Sequence, residues 1–146
     1  MRPGTGPRGE DKMRERIFRY VKETYGTEPD YPFSGFPDYA VLRHGDSRKW
    51  FALIMNVPGE KLGWKGAERI EIVNVKLGDP MLADMLVRQP GYFYGYHMRR
   101  GSWVSILLDS TVSWEEVCWW VDESYAVTAP RRGRKEKNGG SRLKST

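Results

Sequence analysis

The side chains in the sequence that are best suited to act as a nucleophile or a general base near neutral pH are Cys118, His44 and His97. Cys118 falls near the start of a predicted helix, which would lower a thiol pKa, but its neighbours Trp119 and Trp120 favour a buried, inert thiol. Neither histidine has a serine, cysteine or aspartate at a spacing typical of a catalytic triad. We therefore predict a protein without enzymatic activity, and keep a general-base role for a histidine as an alternative.

The sequence also lacks the spacings that hold metal ions or phosphates in known motifs. No His-x-x-x-His, Cys-x-x-Cys or Asp-rich loop occurs, and these are the patterns of zinc and calcium sites. The glycine-rich segment 58–66 carries two lysines but lacks the Gly-Lys-Ser/Thr ending of a phosphate-binding loop. We predict no metal and no cofactor.

The net charge of +5 is concentrated near the C-terminal end of the sequence. Residues 130–146 hold seven Lys or Arg and one Glu, whereas residues 13–129 hold 14 basic and 16 acidic residues. The body is therefore slightly acidic, and the basic isoelectric point is no evidence for a basic fold. We expect the tail to contact DNA phosphates without reading sequence. The candidate tail contacts are Arg131, Arg132, Arg134 and Lys135.

Two segments of the body combine aromatic and basic residues. The glycine-rich loop fits either a solvated hairpin loop with a docked Trp64 or a wing that presents Lys61 and Lys65 to phosphates. Residues 92–103 fit either a stacking platform for bases or a loop that covers the core. The candidate DNA contacts in the body are Arg43, His44, Arg48, Lys49, Lys61, Lys65, Lys76, Tyr96, His97, Arg99, Arg100 and Trp103.

An alternative function is the binding of a small ligand or a protein partner. Its site would be a pocket between the predicted sheet and residues 92–103, lined by Trp50, Tyr96, His97 and Trp103. Mostly apolar pockets with a few polar groups are the ordinary sites of small ligands.

Hydrophobic periodicity predicts the elements that must position these residues. Apolar residues spaced by four predict a helix over 10–25, ended by Gly26. Alternating runs predict strands over 39–44, 49–57, 69–77 and 103–108, with the first two forming a hairpin. Asp79 and Pro80 begin a helix that runs to about residue 88, and a capping box at Ser113 and Glu116 begins a helix that runs to about residue 125.

The order α-β-β-β-α-β-α indicates an α+β fold, a mostly antiparallel sheet with helices packed on one face. We predict a single domain over residues 10–128, with a disordered N-terminus at 1–9 and a disordered basic tail at 129–146. One cysteine excludes an intrachain disulfide and indicates a reducing compartment. No apolar run approaches the ~20 residues that span a bilayer. We expect a cytoplasmic protein with no membrane partner.

Several segments, in this order, resemble the bacterial MmcQ/YjbR family. They are AVLRH at 40–44, KWFAL at 49–53, NVK at 74–76 followed by Asp79-Pro80, PG at 90–91, GYHM at 95–98, Trp103 before LD at 108–109, and DESY at 122–125. The resemblance spans about residues 12–128. It implies a CyaY-like (frataxin-like) fold and a DNA-binding protein with a double-wing arrangement.

The chain departs from the family pattern at residues 99–102, where Arg-Arg-Gly-Ser stands in place of the usual Asn and Lys and an often-present His. Frataxin-like iron binding is not expected, because it needs an acidic ridge on the first helix. Here Arg14, Arg16, Arg19 and Lys22 are mixed with the acids of that helix.

Overall fold

A computed structural model describes residues 12–64, 69–98 and 101–130. The elements are α1 (Met13–Tyr25), β1 (Ala40–Arg43), β2 (Trp50–Pro58), a 3₁₀ helix (Gly59–Leu62), β3 (Arg69–Lys76), α2 (Pro80–Leu86), β4 (Tyr92–Tyr94), β5 (Trp103–Leu107) and α3 (Trp114–Val127). The predicted disordered ends lie outside the described residues, apart from residues 129 and 130. So do the candidate contacts Lys65, Arg99, Arg100, Arg131, Arg132, Arg134 and Lys135.

The five strands form one antiparallel sheet in the order β1-β2-β3-β5-β4. The predicted α+β class is confirmed, and one strand was missed. No strand was predicted between the second helix and Trp103, yet Tyr92–Tyr94 pairs with β5. A three-residue strand followed directly by Gly95 is too short for an alternation that sequence can reveal. At the opposite edge, the backbones of Asp30 and Val41 exchange hydrogen bonds of 3.0 and 2.8 Å.

One face of the sheet is covered by the helices. Ile17 and Val21 of α1 and Val117 and Val121 of α3 pack with a row of buried strand residues, and α2 adds Ala83. The strand residues of this core include Ala40, Leu42, Ala52, Ile54, Val73, Val75, Val104 and Ile106. We call this the helix face.

The other face is covered by loops, and we call it the loop face. Its core contains Val41, Leu53, Met55, Ile72 and Leu107, all nearly inaccessible to solvent. Half-buried residues from loops, strand ends and the edge strand pack on it, namely Phe33, Trp50, Leu62, Trp64, Phe93 and Tyr96. The central strands are therefore apolar on both sides, as the sequence of β2 indicates.

Side-chain caps fix the starts of α2 and α3. The Asp79 carboxylate accepts from the Met81 N–H at 2.9 Å, and the Ser113 hydroxyl accepts from the Glu116 N–H at 3.1 Å. Half of the predicted capping box is present, namely the hydrogen bond that Ser113 accepts. The Glu116 carboxylate instead accepts a hydrogen bond from the Tyr92 hydroxyl. Glu116 thus ties α3 to the edge strand β4.

A single hydroxyl on α3 joins the helix to two central strands. Ser124 Oγ donates to the Phe51 carbonyl at 2.6 Å and accepts from the Lys76 N–H at 2.8 Å. The register of β2 and β3 begins at Ala52 and Val75, so Phe51 and Lys76 are the next pair of the ladder. The fully buried hydroxyl therefore replaces a bond that the two strands no longer make directly.

Asp122, two residues earlier in α3, holds the same helix against α1. Its carboxylate accepts hydrogen bonds from the hydroxyls of Tyr20 at 2.7 Å and Tyr25 at 2.5 Å. Burial, followed by the bond to Asp122, raises the pKa of Tyr20 to about 12. Both tyrosines therefore remain protonated donors at neutral pH.

No helix among the described residues has the length and apolar character needed to cross a membrane.

We expect Ser124→Ala to lower the free energy of unfolding by about 1–3 kcal/mol, because the Phe51 carbonyl and the Lys76 N–H lose a buried partner. Urea denaturation followed by far-UV circular dichroism measures the change. Ser34→Ala is the matched control, since it removes the same hydroxyl from an exposed loop position. Equal stability of the two variants would contradict the role given to Ser124.

Candidate functional site

One end of the sheet brings together five of the predicted DNA contacts. The turn between β1 and β2 carries Arg48 and Lys49, and Arg43 closes β1 beside it. In an antiparallel sheet, the end of β3 and the start of β5 lie at this same end. They supply Lys76 and Trp103, which are register partners and therefore point to the same face. We call these five residues the hairpin end.

The positive charges of the hairpin end differ in how far they are neutralised. The Arg43 guanidinium lies 3.0 Å from the Asp30 carboxylate and 5.8 Å from the centre of the Trp50 ring. Arg48 lies 3.9 Å from the same carboxylate. Within the described residues, Lys49 and Lys76 form no ion pair. The available positive charge is therefore carried mainly by the two lysines.

His44 belongs to the same turn by sequence, but its ring is buried, with 2% of the residue exposed. The Thr128 hydroxyl donates to the Ser124 carbonyl at 2.7 Å, so His44 Nε2 donates to the Thr128 oxygen at 2.8 Å. The ring also packs on Tyr125, with centroids 4.2 Å apart. A buried ring cannot reach a phosphate, and His44 is therefore removed from the candidate contacts.

The remaining body candidates among the described residues are Lys61, Tyr96 and His97, and all three line one groove. An open groove of about 530 Å³ runs between the 3₁₀ helix and β4, and its lining includes Lys61, Phe93, Tyr96 and His97. Lys61 follows the far end of β2 and is therefore separate from the hairpin end. The structure thus brings Lys61 next to Tyr96 and His97, which the sequence did not predict.

Two cavities formed by the described residues contain members of the single pocket predicted from the sequence. Tyr96 and His97 line the groove, whereas Trp103 lines a neighbouring cavity of about 330 Å³. Trp50 lines neither of these two cavities and packs against Phe33, with ring centroids 5.9 Å apart. None of the cavities formed by the described residues contains all four side chains, because Trp50 lies on β2 and the other three lie on or next to the β4–β5 hairpin.

A closed ring of hydrogen bonds holds the Tyr96–His97 turn on the loop face. Asn74 Nδ2 donates to the Tyr96 carbonyl at 2.9 Å, and Ser105 Oγ donates to Asn74 Oδ1 at 2.5 Å. The Tyr96 N–H donates back to Ser105 Oγ at 2.9 Å. Asn74 and Ser105 are fully buried register partners on β3 and β5. The turn is therefore anchored from inside the sheet.

His97 completes the turn with a left-handed backbone, at a φ of 62°. This conformation is uncommon for a residue with a side chain, and its cost in free energy persists only where the surrounding structure imposes it. The ring of His97 lies against that of Tyr96, with centroids 4.0 Å apart. The strain and the exposed ring mark this turn as a functional candidate.

Sequence reasoning missed Asn74 and Ser105, although one signal was present. Asn74 continues the row of Ile70 and Ile72 on one side of β3, so a polar side chain follows two apolar ones at a position that proves buried. A buried amide requires partners, and it finds them in Ser105 and the Tyr96 backbone.

Two further predictions concern the loop and the thiol. Trp64 is half-buried on the loop-face core, which favours the docked loop over a wing with Trp64 at its tip. Burial, followed by the Asp122 charge, raises the pKa of Cys118 to about 11. The thiol is therefore protonated at neutral pH, as an inert cysteine requires. Across the described residues, no group of three or more His, Cys, Asp or Glu side chains could hold a metal ion.

The described residues define a class of small α+β proteins with a five-stranded antiparallel sheet, helices on one face and loops on the other. The family model described as YjbR matches residues 22–127 of this chain. The chain belongs to the YjbR family, as the resemblance in its sequence segments predicted.

Relatives and solved structures agree with this membership. The chain is 44% identical to the uncharacterized protein YyaQ of Bacillus subtilis (strain 168) over 115 residues, which cover 79% of this chain and 97% of YyaQ. A crystal structure from Pseudomonas syringae is similar with a TM-score of 0.76 at 36% identity, covering 80% of this chain and 98% of that one. A Deinococcus radiodurans protein with a DUF419 domain shares the fold, with a TM-score of 0.61 at 19% identity. The match covers 88% of this chain and 83% of the Deinococcus chain.

We expect the stability of the protein to decrease as the pH falls below about 6.5, the ordinary pKa of histidine. Burial lowers the pKa of His44, so the unfolded chain binds a proton more readily than the folded one, and protons favour unfolding. Urea denaturation between pH 5 and pH 8 measures this slope. In His44→Gln the slope should become shallower, and an unchanged slope would exclude His44 as its source.

We also expect Asn74→Ala to loosen the Tyr96–His97 turn and to lower the free energy of unfolding by about 1–3 kcal/mol, because buried polar atoms lose their partner. Hydrogen exchange at the Tyr96 amide should accelerate more than exchange in β2. Asn56→Ala is the control for exchange at Tyr96, because the Asn56 side chain is hydrogen-bonded to Arg69 and Glu71 and not to the turn. Unchanged exchange at Tyr96 would show that the amide does not hold the turn.

Proposed function

We propose that this protein is a cytoplasmic, non-enzymatic DNA-binding protein whose hairpin end contacts duplex phosphates. The observation that supports the proposal most directly is the position of Lys49 and Lys76 at one end of the sheet, beside Trp103. Neither lysine forms an ion pair within the described residues, so each retains its charge for a phosphate. Lysine contacts of this kind give affinity without sequence preference.

The arginines of the hairpin end have a smaller part in this proposal. Arg43 lies against the Asp30 carboxylate with 21% of its side chain exposed, and Arg48 shares that carboxylate. A phosphate would have to compete with Asp30 for both guanidinium groups. We therefore assign the main contacts to Lys49 and Lys76, with Trp103 at the edge of the DNA groove.

Basic residues outside the described part of the chain are further candidates for phosphate contacts. Arg99 and Arg100 precede Trp103 closely in sequence, and the tail bases Arg131, Arg132, Arg134 and Lys135 follow the last described residue, Pro130. We propose that these residues add phosphate contacts. Because each contact releases counterions, binding should weaken steeply as salt increases.

A second candidate function is the binding of a small molecule or a protein partner. The observation that favours it is the groove along β4, with its aromatic lining and Lys61.

Fluorescence anisotropy with a labelled duplex at two salt concentrations tests the DNA proposal. We expect Lys49→Gln with Lys76→Gln to weaken binding and to reduce the slope of log K against log salt by roughly 2, about one per lost phosphate contact. The control pair is Lys12→Gln with Arg88→Gln, two exposed cations that precede α1 and follow α2, away from the hairpin end.

Three outcomes would overturn all or part of this proposal. If micromolar protein leaves the duplex free at low salt, the DNA assignment is withdrawn. If the lysine pair behaves like the control pair, the hairpin end is not the contact surface. If deletion of residues 131–146 abolishes binding completely, the tail binds DNA and the fold does not.

A further inference from the structure

The groove along β4 is built from elements that are distant in sequence. The 3₁₀ helix supplies Lys61 and Leu62, while β4 and the turn after it supply Phe93, Tyr96 and His97. Its volume of about 530 Å³ falls within the range of small-molecule sites, roughly 300–1,000 Å³. The groove therefore has the size of a small-ligand site.

The chemistry of the groove favours an anion with an aromatic ring. None of the described residues that line it is acidic, and Lys61 is exposed without an ion pair among the described residues. Aromatic side chains from β4 and its turn provide flat surfaces on which a planar ring can stack. An ammonium group beside aromatic faces suits a ligand that combines a planar ring with a negative charge.

The aromatic side of the groove is held in place before any ligand arrives. The hydrogen bonds of Asn74 and Ser105 fix the Tyr96 backbone, and His97 is kept in its left-handed conformation. Gly95 permits the close approach of β5, because a Cβ at this position would lie 2.8 Å from the Cβ of Trp103. A preorganised surface loses less entropy when a ligand binds.

We infer that this groove binds a nucleoside monophosphate, with the base against Phe93 and Tyr96 and the phosphate near Lys61 and His97. The inference deepens the second candidate function and does not depend on DNA binding at the hairpin end. It gives Lys61 and His97 a ligand in common, whereas the sequence predicted Lys61 only as a DNA contact and His97 as either a DNA contact or a residue of a small-ligand pocket.

Isothermal titration calorimetry of the full chain with AMP, GMP, CMP and UMP tests the inference, with adenosine and inorganic phosphate as separate probes. We expect at least one nucleotide to bind with a Kd below ~1 mM and at least fivefold more tightly than adenosine or phosphate. Two-dimensional NMR should place the shifted amides at residues 92–97 and 61–62. Failure of all four nucleotides to bind, or equal binding of phosphate alone, overturns the inference.

Variants assign the two ends of the ligand. Lys61→Gln should weaken nucleotide binding at least fivefold and leave adenosine unaffected, while Phe93→Leu should weaken both. His97→Asn is suited to this site because asparagine tolerates a left-handed backbone, and it should weaken nucleotide binding in the same way as Lys61→Gln. The control Lys12→Gln should bind like the unaltered protein, and equal losses in Lys12→Gln and Lys61→Gln would overturn the assigned site.

The two proposals can fail separately. Lys49→Gln with Lys76→Gln should retain nucleotide binding, because both lysines lie outside the groove. Lys61→Gln should retain at least half of the DNA affinity. Loss of nucleotide binding in the first variant would show that the site lies at the hairpin end and overturn its assignment to the groove.

Discussion

The hydroxyl of Ser124 is the contact on which the arrangement of the candidate surfaces depends. It stands between the Phe51 carbonyl and the Lys76 N–H, where β2 and β3 cease to pair directly. The same helix also holds the turn that contains His44, because His44 is hydrogen-bonded to Thr128, and Thr128 is hydrogen-bonded to the Ser124 carbonyl. The end of β3 and the β1–β2 turn are therefore both set by α3. The helix face determines where the cations of the hairpin end can lie, although it carries none of the proposed contacts.

The two faces of the sheet have different roles. Close packing of helices on one face supplies a continuous apolar core, and Asp122 locks α1 to α3 through two tyrosine hydroxyls. The loop face has a thinner cover and contains a polar centre at Asn74 and Ser105. Polar groups inside a sheet are costly unless every partner is present, and here they orient the backbone of an exposed turn. The proposed ligand groove thus lies on the side of the sheet that carries this buried polar centre.

The elements with strong local signals were predicted correctly from the sequence. Asp79 and Ser113 cap their helices, and Gly26 ends α1 with a left-handed φ of 72°. The edge strand β4 was missed because three residues contain too little periodicity. The burial of His44 and the placement of Lys61 and His97 in one groove depend on packing between residues far apart in sequence. No local sequence pattern encodes such contacts. The sequence could therefore identify individual candidate residues but not which of them lie together in the fold.

Both edges of the sheet offer little unpaired backbone to a further strand. The backbone of Asp30 occupies part of the outer side of β1, and β4 is only three residues long. A long unpaired margin is a template on which another chain can add and start an aggregate. Asp30 has a double effect, since its backbone shields this margin while its carboxylate holds Arg43. The central strands are apolar on both faces, and a neighbouring chain could add to such a sheet in an amyloid-like manner. The small amount of unpaired backbone at the two edges limits this addition.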